Sequence, residues 1–232
     1  MEEEIHNQLN IFQILNISLT SYRRYLQDFL KIGLLYGIAN VIDTLLIKIF
    51  GEPSRAWALL INVFISAIGI ILICDTCRRI HNRKHPDLRK SFSIATGIIP
   101  TVYAVHLTIT LLFIFPILLI ETLGIISILF GLYASTVFIF AEMIAVIERK
   151  TYINCFKTSV NMVKGKFFKV LAFNIVLVIL IVFPILILRS MSLSIPIIAR
   201  VLNVLLVVTL PVFQGLAQTE LYYHTKKLSC TI

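Results

Sequence analysis

A chain of 232 residues that is 58% hydrophobic and only 14% charged, with a mean hydropathy of +0.93, cannot maintain an ordinary soluble surface. Soluble domains carry about a quarter charged residues, and a surface much poorer than that aggregates in water. The net charge of +9 does not restore a nucleic-acid partner, because the basic residues flank long apolar runs and build no basic face on a soluble scaffold.

The chain opens on Met1-Glu2-Glu3-Glu4, without the basic start and short apolar core of a cleaved signal, so the apolar runs are expected in the mature protein. A helix needs about 20 apolar residues to cross a bilayer core of about 30 Å. The first span is predicted over Phe29–Phe50, carrying Lys31, Asp43 and Lys48, with a turn at Gly51-Glu52-Pro53-Ser54. The second runs from Ala56 to about Cys77 and stops at Arg78 and Arg79. Between Ser91 and Ile147 there is no Lys or Arg, and as one helix this stretch would be about 85 Å long. It must fold back, best at Glu121-Thr122 with Gly124, which gives spans of about 96–120 and 123–147. The last apolar region is divided by Arg189, Ser190, Ser192, Ser194 and Pro196 into spans of about 168–188 and 197–221.

The fold class predicted is therefore all-α, a polytopic membrane protein of six spans in a single integral membrane domain over 1–232. Seventeen of the 21 Lys and Arg, Lys31 included, fall on the side of the N-terminal segment, the Arg78–Lys90 loop, the Arg149–Lys169 segment and the C-terminal tail. By the positive-inside rule both termini are expected in the cytosol, with the chain in the cell (inner) membrane. Cys74, Cys77, Cys155 and Cys230 then lie at or near the cytosolic face as reduced thiols. Cys74-Asp75-Thr76-Cys77 has CxxC spacing without a second ligand pair, so coincidence is a better reading than zinc.

The chain also repeats itself. Phe115-Pro116-Ile117-Leu118 recurs 68 residues on as Phe183-Pro184-Ile185-Leu186, and at the same offset Arg89 matches Lys157, Ser91 matches Ser159 and Gly97 matches Gly165. Before the fifth span, apolar Ile153, Phe156, Val160, Val163 and Phe167 alternate with polar Asn154, Lys157, Asn161 and Lys164 at helical spacing. Phe12, Leu15, Leu19, Tyr22 and Leu26 repeat this spacing near the start, and Leu88, Phe92, Ala95 and Ile99 repeat it in the middle. Ser18, Ser91 and Ser159 hold the same place in the three segments. Three units are expected, of about 11–77, 85–150 and 153–225, each an amphipathic interfacial helix followed by a transmembrane hairpin. Pro100 and Gly165 favour a bend at the interface; the alternative is that each segment simply extends the next span.

Arg23, Arg24, Arg89, Lys90, Lys157, Lys164 and Lys166 on the polar sides of these segments are the candidate contacts to anionic lipid headgroups. Glu142 lies six residues before Glu148, about 9 Å inside the end of the fourth span. His106 and Asn174 share one repeat position in the third and fifth spans, and Gln214 and Gln218 on the sixth complete a candidate intramembrane cluster. Such a cluster could bind a cation, a proton or a headgroup; interhelical hydrogen bonding that fixes packing is the alternative. Ser159 reads as a small residue that permits close approach.

At Val146-Ile147-Glu148, Cys155-Phe156-Lys157-Thr158-Ser159 and Val163-Lys164-Gly165-Lys166-Phe167, the chain resembles a group of prokaryotic membrane proteins. The group includes the YciC-like inner-membrane proteins and the membrane domain fused to some glycerophosphodiester phosphodiesterases. Leu221-Tyr222-Tyr223 before Lys226 and Lys227 resembles the close of the same family. The resemblance spans residues 85–228; Cys155 and Lys166 depart from its pattern, and the phosphodiesterases' catalytic domain has no counterpart here. It implies a six-helix membrane fold and carries over no activity.

No GxSxG, HExxH or Gly-rich phosphate loop is present, so no enzyme and no cofactor are expected. The function expected is a non-enzymatic membrane protein that binds lipid or a partner in envelope function or complex assembly. A transporter or channel subunit with a polar site in the bundle is the alternative, and a protein partner or a second copy of the chain stays open.

Overall fold

The computed structural model describes residues 10–191 and 196–229. The described residues form helices joined by short turns. Helix α1 (Ile11–Arg24) leads into α2 (Leu26–Phe50), and a 3-10 turn at Glu52–Ser54 leads into α3 (Arg55–His81). Then come α4 (Leu88–Leu118), the short α5 (Ile120–Leu123), α6 (Ile125–Val137), α7 (Ala141–Ile147) and α8 (Tyr152–Val163). The last two are α9 (Phe167–Met191) and α10 (Pro196–Ser229). Among the described residues six helical stretches are long and apolar enough to cross a membrane, α6 and α7 together making the fourth, so the chain is a polytopic all-α membrane protein. Cys230 and the connection expected at Ser192 and Ser194 lie outside the described residues.

The turns follow local chemistry. Gly124 has φ +53°, in the left-handed region that favours glycine, and it reverses the chain between α5 and α6. Ser54 donates to the Leu46 and Gly51 carbonyls at 3.0 and 2.7 Å, closing the first hairpin. Between α8 and α9 the helix stops at Lys164-Gly165-Lys166, where Gly165 has φ +79°.

The middle unit departs from expectation. Its amphipathic segment is not a separate interfacial helix: α4 runs unbroken from Leu88 through Pro100 to Leu118. At about 46 Å it outreaches the hydrocarbon core, so its first turns extend beyond the span. A local cap and one tertiary bond hold that extension in line. The Asp87 carboxylate accepts from the Lys90 N–H at 3.1 Å, and the Ser91 hydroxyl donates to Asp75 on α3 at 2.6 Å. Proline inside a membrane helix is tolerated where neighbours restore the lost contacts.

Helices α1 and α8 are separate and present matching faces. Helix α8 turns Cys155, Ser159 and Val163 inward and leaves Ile153 and Val160 exposed on an adjoining strip, with Lys157, Asn161 and Lys164 exposed beyond it. Helix α1 turns Ile14 and Ser18 inward, leaves Phe12 and Leu19 exposed, and carries exposed Asn16 and Arg23 beyond them. Each helix thus divides into a buried, an exposed apolar and an exposed polar strip.

The fourth span is broken. Helix α6 ends at Val137 and α7 starts at Ala141, and the buried Ser159 hydroxyl spans the gap. It donates to the Val137 carbonyl at 2.8 Å and accepts from the Phe140 N–H at 3.2 Å. Two backbone groups orphaned by the break are thus satisfied without water. Ser159 therefore does more than permit close approach: its hydroxyl bonds across the break.

The core sits toward one end. Ile71, Leu72 and Ile73 of α3, Met143 and Ile144 of α7, and Leu216 and Tyr222 of α10 are fully buried there. Gly33 of α2 lies so close to α10 that a Cβ would overlap the Val208 carbonyl. Toward the hairpin turns the large apolar side chains point outward: Leu118, Ile125 and Phe183 are exposed, as lipid-facing residues are.

Candidate functional site

The end that carries most of the basic residues is fastened by ion pairs. Asp75, 1% exposed, accepts from Ser91, from Arg79 at 2.8 Å and from Arg78. His81 meets Glu220 at 3.0 Å, joining α3 to α10. Just past the fourth span, Glu148 accepts from the Tyr222 hydroxyl at 2.6 Å, from Lys226 at 2.7 Å and from Lys150 at 2.8 Å. Burial works against the Glu148 charge, but the hydrogen bonds from Lys150, Lys226 and Tyr222 outweigh it and hold the carboxyl down at about 2. Cys74 packs with its sulfur 3.6 Å from the Thr219 hydroxyl.

Deeper in the bundle lies a cavity of about 470 Å³. Tyr36 of α2, Ser66 of α3, His106 and Phe113 of α4, Ser135 of α6, Glu142 of α7, Asn174 and Val178 of α9, and Gln214 and Gln218 of α10 line it. Every residue of the expected intramembrane cluster reaches this one space. Its walls are largely apolar, with His106, Glu142, Asn174, Gln214 and Gln218 among the polar residues.

Glu142, 8% exposed, is 2.6 Å from His106 Nδ1. At membrane depth this contact lowers the cost of either group, because an ion pair is net neutral and the uncharged pair shares a proton in one hydrogen bond. Asn174 donates to Ser135 at 2.9 Å. Gln214 and Gln218 are partly exposed and make no side-chain hydrogen bond among the described residues. An unpaired amide in an apolar surround costs free energy that a bound polar group or water recovers. Tyr36, Ser66 and Ser135 are cavity residues that sequence reasoning did not single out, since a lone Ser or Tyr inside a span carries no signal.

A second, more apolar cavity of about 260 Å³ continues from the first toward the hairpin turns. The two share Phe113, Ser135, Asn174 and Val178, and the second reaches Pro116, Ile120 and Ile128.

Of the candidate headgroup contacts, Arg23, Arg24, Arg89, Lys90, Lys157 and Lys164 are exposed. Lys166 is half-buried and donates to the Thr225 carbonyl at 3.2 Å. Burial, with Lys169 nearby, lowers its affinity for a proton.

Fold and cavity together define the class: a polytopic helical membrane protein with polar groups gathered in a cavity among its spans. No protein-family model, curated protein or solved structure matches this chain.

Proposed function

We propose that this is a non-enzymatic integral membrane protein of the cell membrane that binds a lipid-like amphiphile within its helix bundle, in support of envelope function. The observation that carries this reading is the paired cavity, its first part lined by Glu142, His106, Gln214 and Gln218 among apolar residues and its second almost wholly apolar toward Pro116 and Ile128. A headgroup would meet Gln214, Gln218 and the Glu142–His106 pair, and an acyl chain would lie along Phe113 and Val178. Pockets of this size, mostly apolar with a few convergent polar groups, are the usual form of small-molecule sites. The engaged Ser159 hydroxyl favours a structural role over a nucleophilic one.

The exposed cations of α1, α8 and the start of α4 fit a basic surface set against anionic headgroups, with both termini in the cytosol. Membership of the YciC-like group is part of the proposal. Its support is that two of the resembling stretches meet, Glu148 accepting from Tyr222 across 74 positions.

The test is lipid mass spectrometry of the detergent-purified chain beside a Gln214→Leu/Gln218→Leu variant. A discrete lipid should co-purify at near-stoichiometric level with the wild type and fall several-fold in the variant. Equal lipid content in two folded proteins would sink the reading. A transporter is the second reading, favoured by the Glu142–His106 pair at membrane depth. Solute flux in proteoliposomes that Glu142→Gln leaves unchanged would exclude it.

A further inference from the structure

Apart from the central site, a cavity of about 550 Å³ lies between the first turns of α4 and the end of α7. From α4 it is lined by Ser93, Ile94, Thr96, Gly97, Ile98 and Thr101, and from the other side by Ala145, Arg149 and Lys150. In contrast to the central cavity, its surface is mainly polar, and no acidic residue lines it.

The cations differ in what already engages them. Lys150 is committed to Glu148 at 2.8 Å and to the Thr158 hydroxyl at 3.1 Å. Arg149 pairs with no carboxylate among the described residues. The Ser93 and Thr101 hydroxyls make no side-chain hydrogen bond there either, while Thr96 donates to the Ser93 carbonyl at 2.8 Å. Gly97 puts no side chain into the space, and a Cβ there would meet nothing within 4 Å. The polar part of the wall is thus one guanidinium without a carboxylate partner, one engaged ammonium and three hydroxyls, with Ile94, Ile98 and Ala145 making up the apolar part.

Arg149 also occupies an unusual backbone position. It follows the C-cap Glu148 of α7 with φ +52°, a conformation that Gly or Asn adopts more easily. The backbone does not call for arginine there, so its side chain is the reason to look further.

We propose that this cavity binds a phosphate-bearing anion, with Arg149 as the principal cation and the Ser93 and Thr101 hydroxyls as hydrogen-bond donors. Guanidinium groups bind phosphate through paired, charge-assisted hydrogen bonds, and hydroxyls supply further donors. The volume falls within the range of about 300–1,000 Å³ common for small-ligand pockets and exceeds the needs of a bare ion. The phosphate can arrive as part of a membrane lipid headgroup or as a free phosphate ester. Its site shares no residue with the central cavity, so it stands or falls separately from the amphiphile proposed there.

The test titrates the full-length protein in nonionic detergent with short-chain phosphatidic acid, glycerol phosphate and short-chain diacylglycerol, followed by calorimetry. Saturable binding of phosphatidic acid with weak binding of glycerol phosphate assigns the site to a lipid headgroup; comparable binding of both assigns it to a free phosphate ester. Arg149→Asn should weaken that binding about tenfold or more, the loss expected for one charge-assisted contact. Its Tm should stay level or rise, because asparagine tolerates positive φ better than arginine does. Arg149→Lys should recover part of the affinity, and Ser93→Ala/Thr101→Val should lose several-fold with Arg149 intact. Absence of phosphate-dependent binding, diacylglycerol binding as tight as phosphatidic acid, or wild-type affinity in folded Arg149→Asn would each overturn the proposal.

Discussion

The Ser159 hydroxyl donates to the Val137 carbonyl at 2.8 Å and thereby holds α8 against the break in the fourth span. The same oxygen accepts from the Phe140 N–H, and both Ser159 and Phe140 are fully buried. Ser159→Ala leaves a carbonyl and an N–H without partners in a place water does not reach. The expected cost is about 2–4 kcal/mol, from two unsatisfied groups at about 1–3 kcal/mol each with partial relaxation. Thermal unfolding in detergent measures it, and a Tm unchanged within a degree would contradict the bond's role.

Glu148 gives a pH dependence of definite sign. Its folded pKa of about 2 lies below the usual 4.5, so its contribution is complete above pH 4.5 and disappears as pH falls through 2. The Tm of the wild type should drop across that window more steeply than the Tm of Glu148→Gln. Parallel profiles would show that the Tyr222, Lys226 and Lys150 contacts contribute nothing. Exposed lysines limit the size of the effect, since salt screens them.

At Gly33 the contact is backbone against backbone. A Cβ there overlaps the Val208 carbonyl, which cannot move aside as a side-chain tip can, so α2 and α10 must separate. Gly33→Ala should cost about 1–3 kcal/mol, as overpacking does, and Gly33→Val should cost more. Comparing their Tm values with that of Gly124→Ala separates this packing effect from a turn effect, since Gly124 has open space around it but a positive φ.

The Glu142–His106 contact is best measured as a pair. Removing either partner leaves a polar group unpaired at membrane depth, so Glu142→Leu and His106→Leu should each be strongly destabilising. The double variant should be less damaged than the sum of the two, by a coupling of about 1–3 kcal/mol. Strict additivity would mean that the two side chains do not interact in solution.

The six spans were legible in the sequence because apolar length needs no tertiary information. The cluster around Glu142 was legible for a related reason: His106, Asn174 and the two glutamines stand out against long runs of Ile, Leu and Val. The break at Val137–Ala141 was not legible, because no Gly or Pro marks it and its stabilising hydroxyl lies about twenty residues downstream. Pro100 misled in the opposite sense. A local breaker predicted a bend, yet the Ser91–Asp75 bond and the Asp87 cap hold the preceding turns in line with the span. In each case a bond to another helix, from Ser159 across the break and from Ser91 to Asp75, entered where the local residues gave no sign of it.

The unequal distribution of the core has a mechanical consequence. Ion pairs and interlocked side chains clamp one end of the bundle, while the hairpin half rests chiefly on surrounding acyl chains. Changes in bilayer thickness or lateral pressure therefore act on the yielding half first. The walls near Pro116 and Ile128 are then the part expected to shift, while the contacts that join α3 to α4 and to α10 hold.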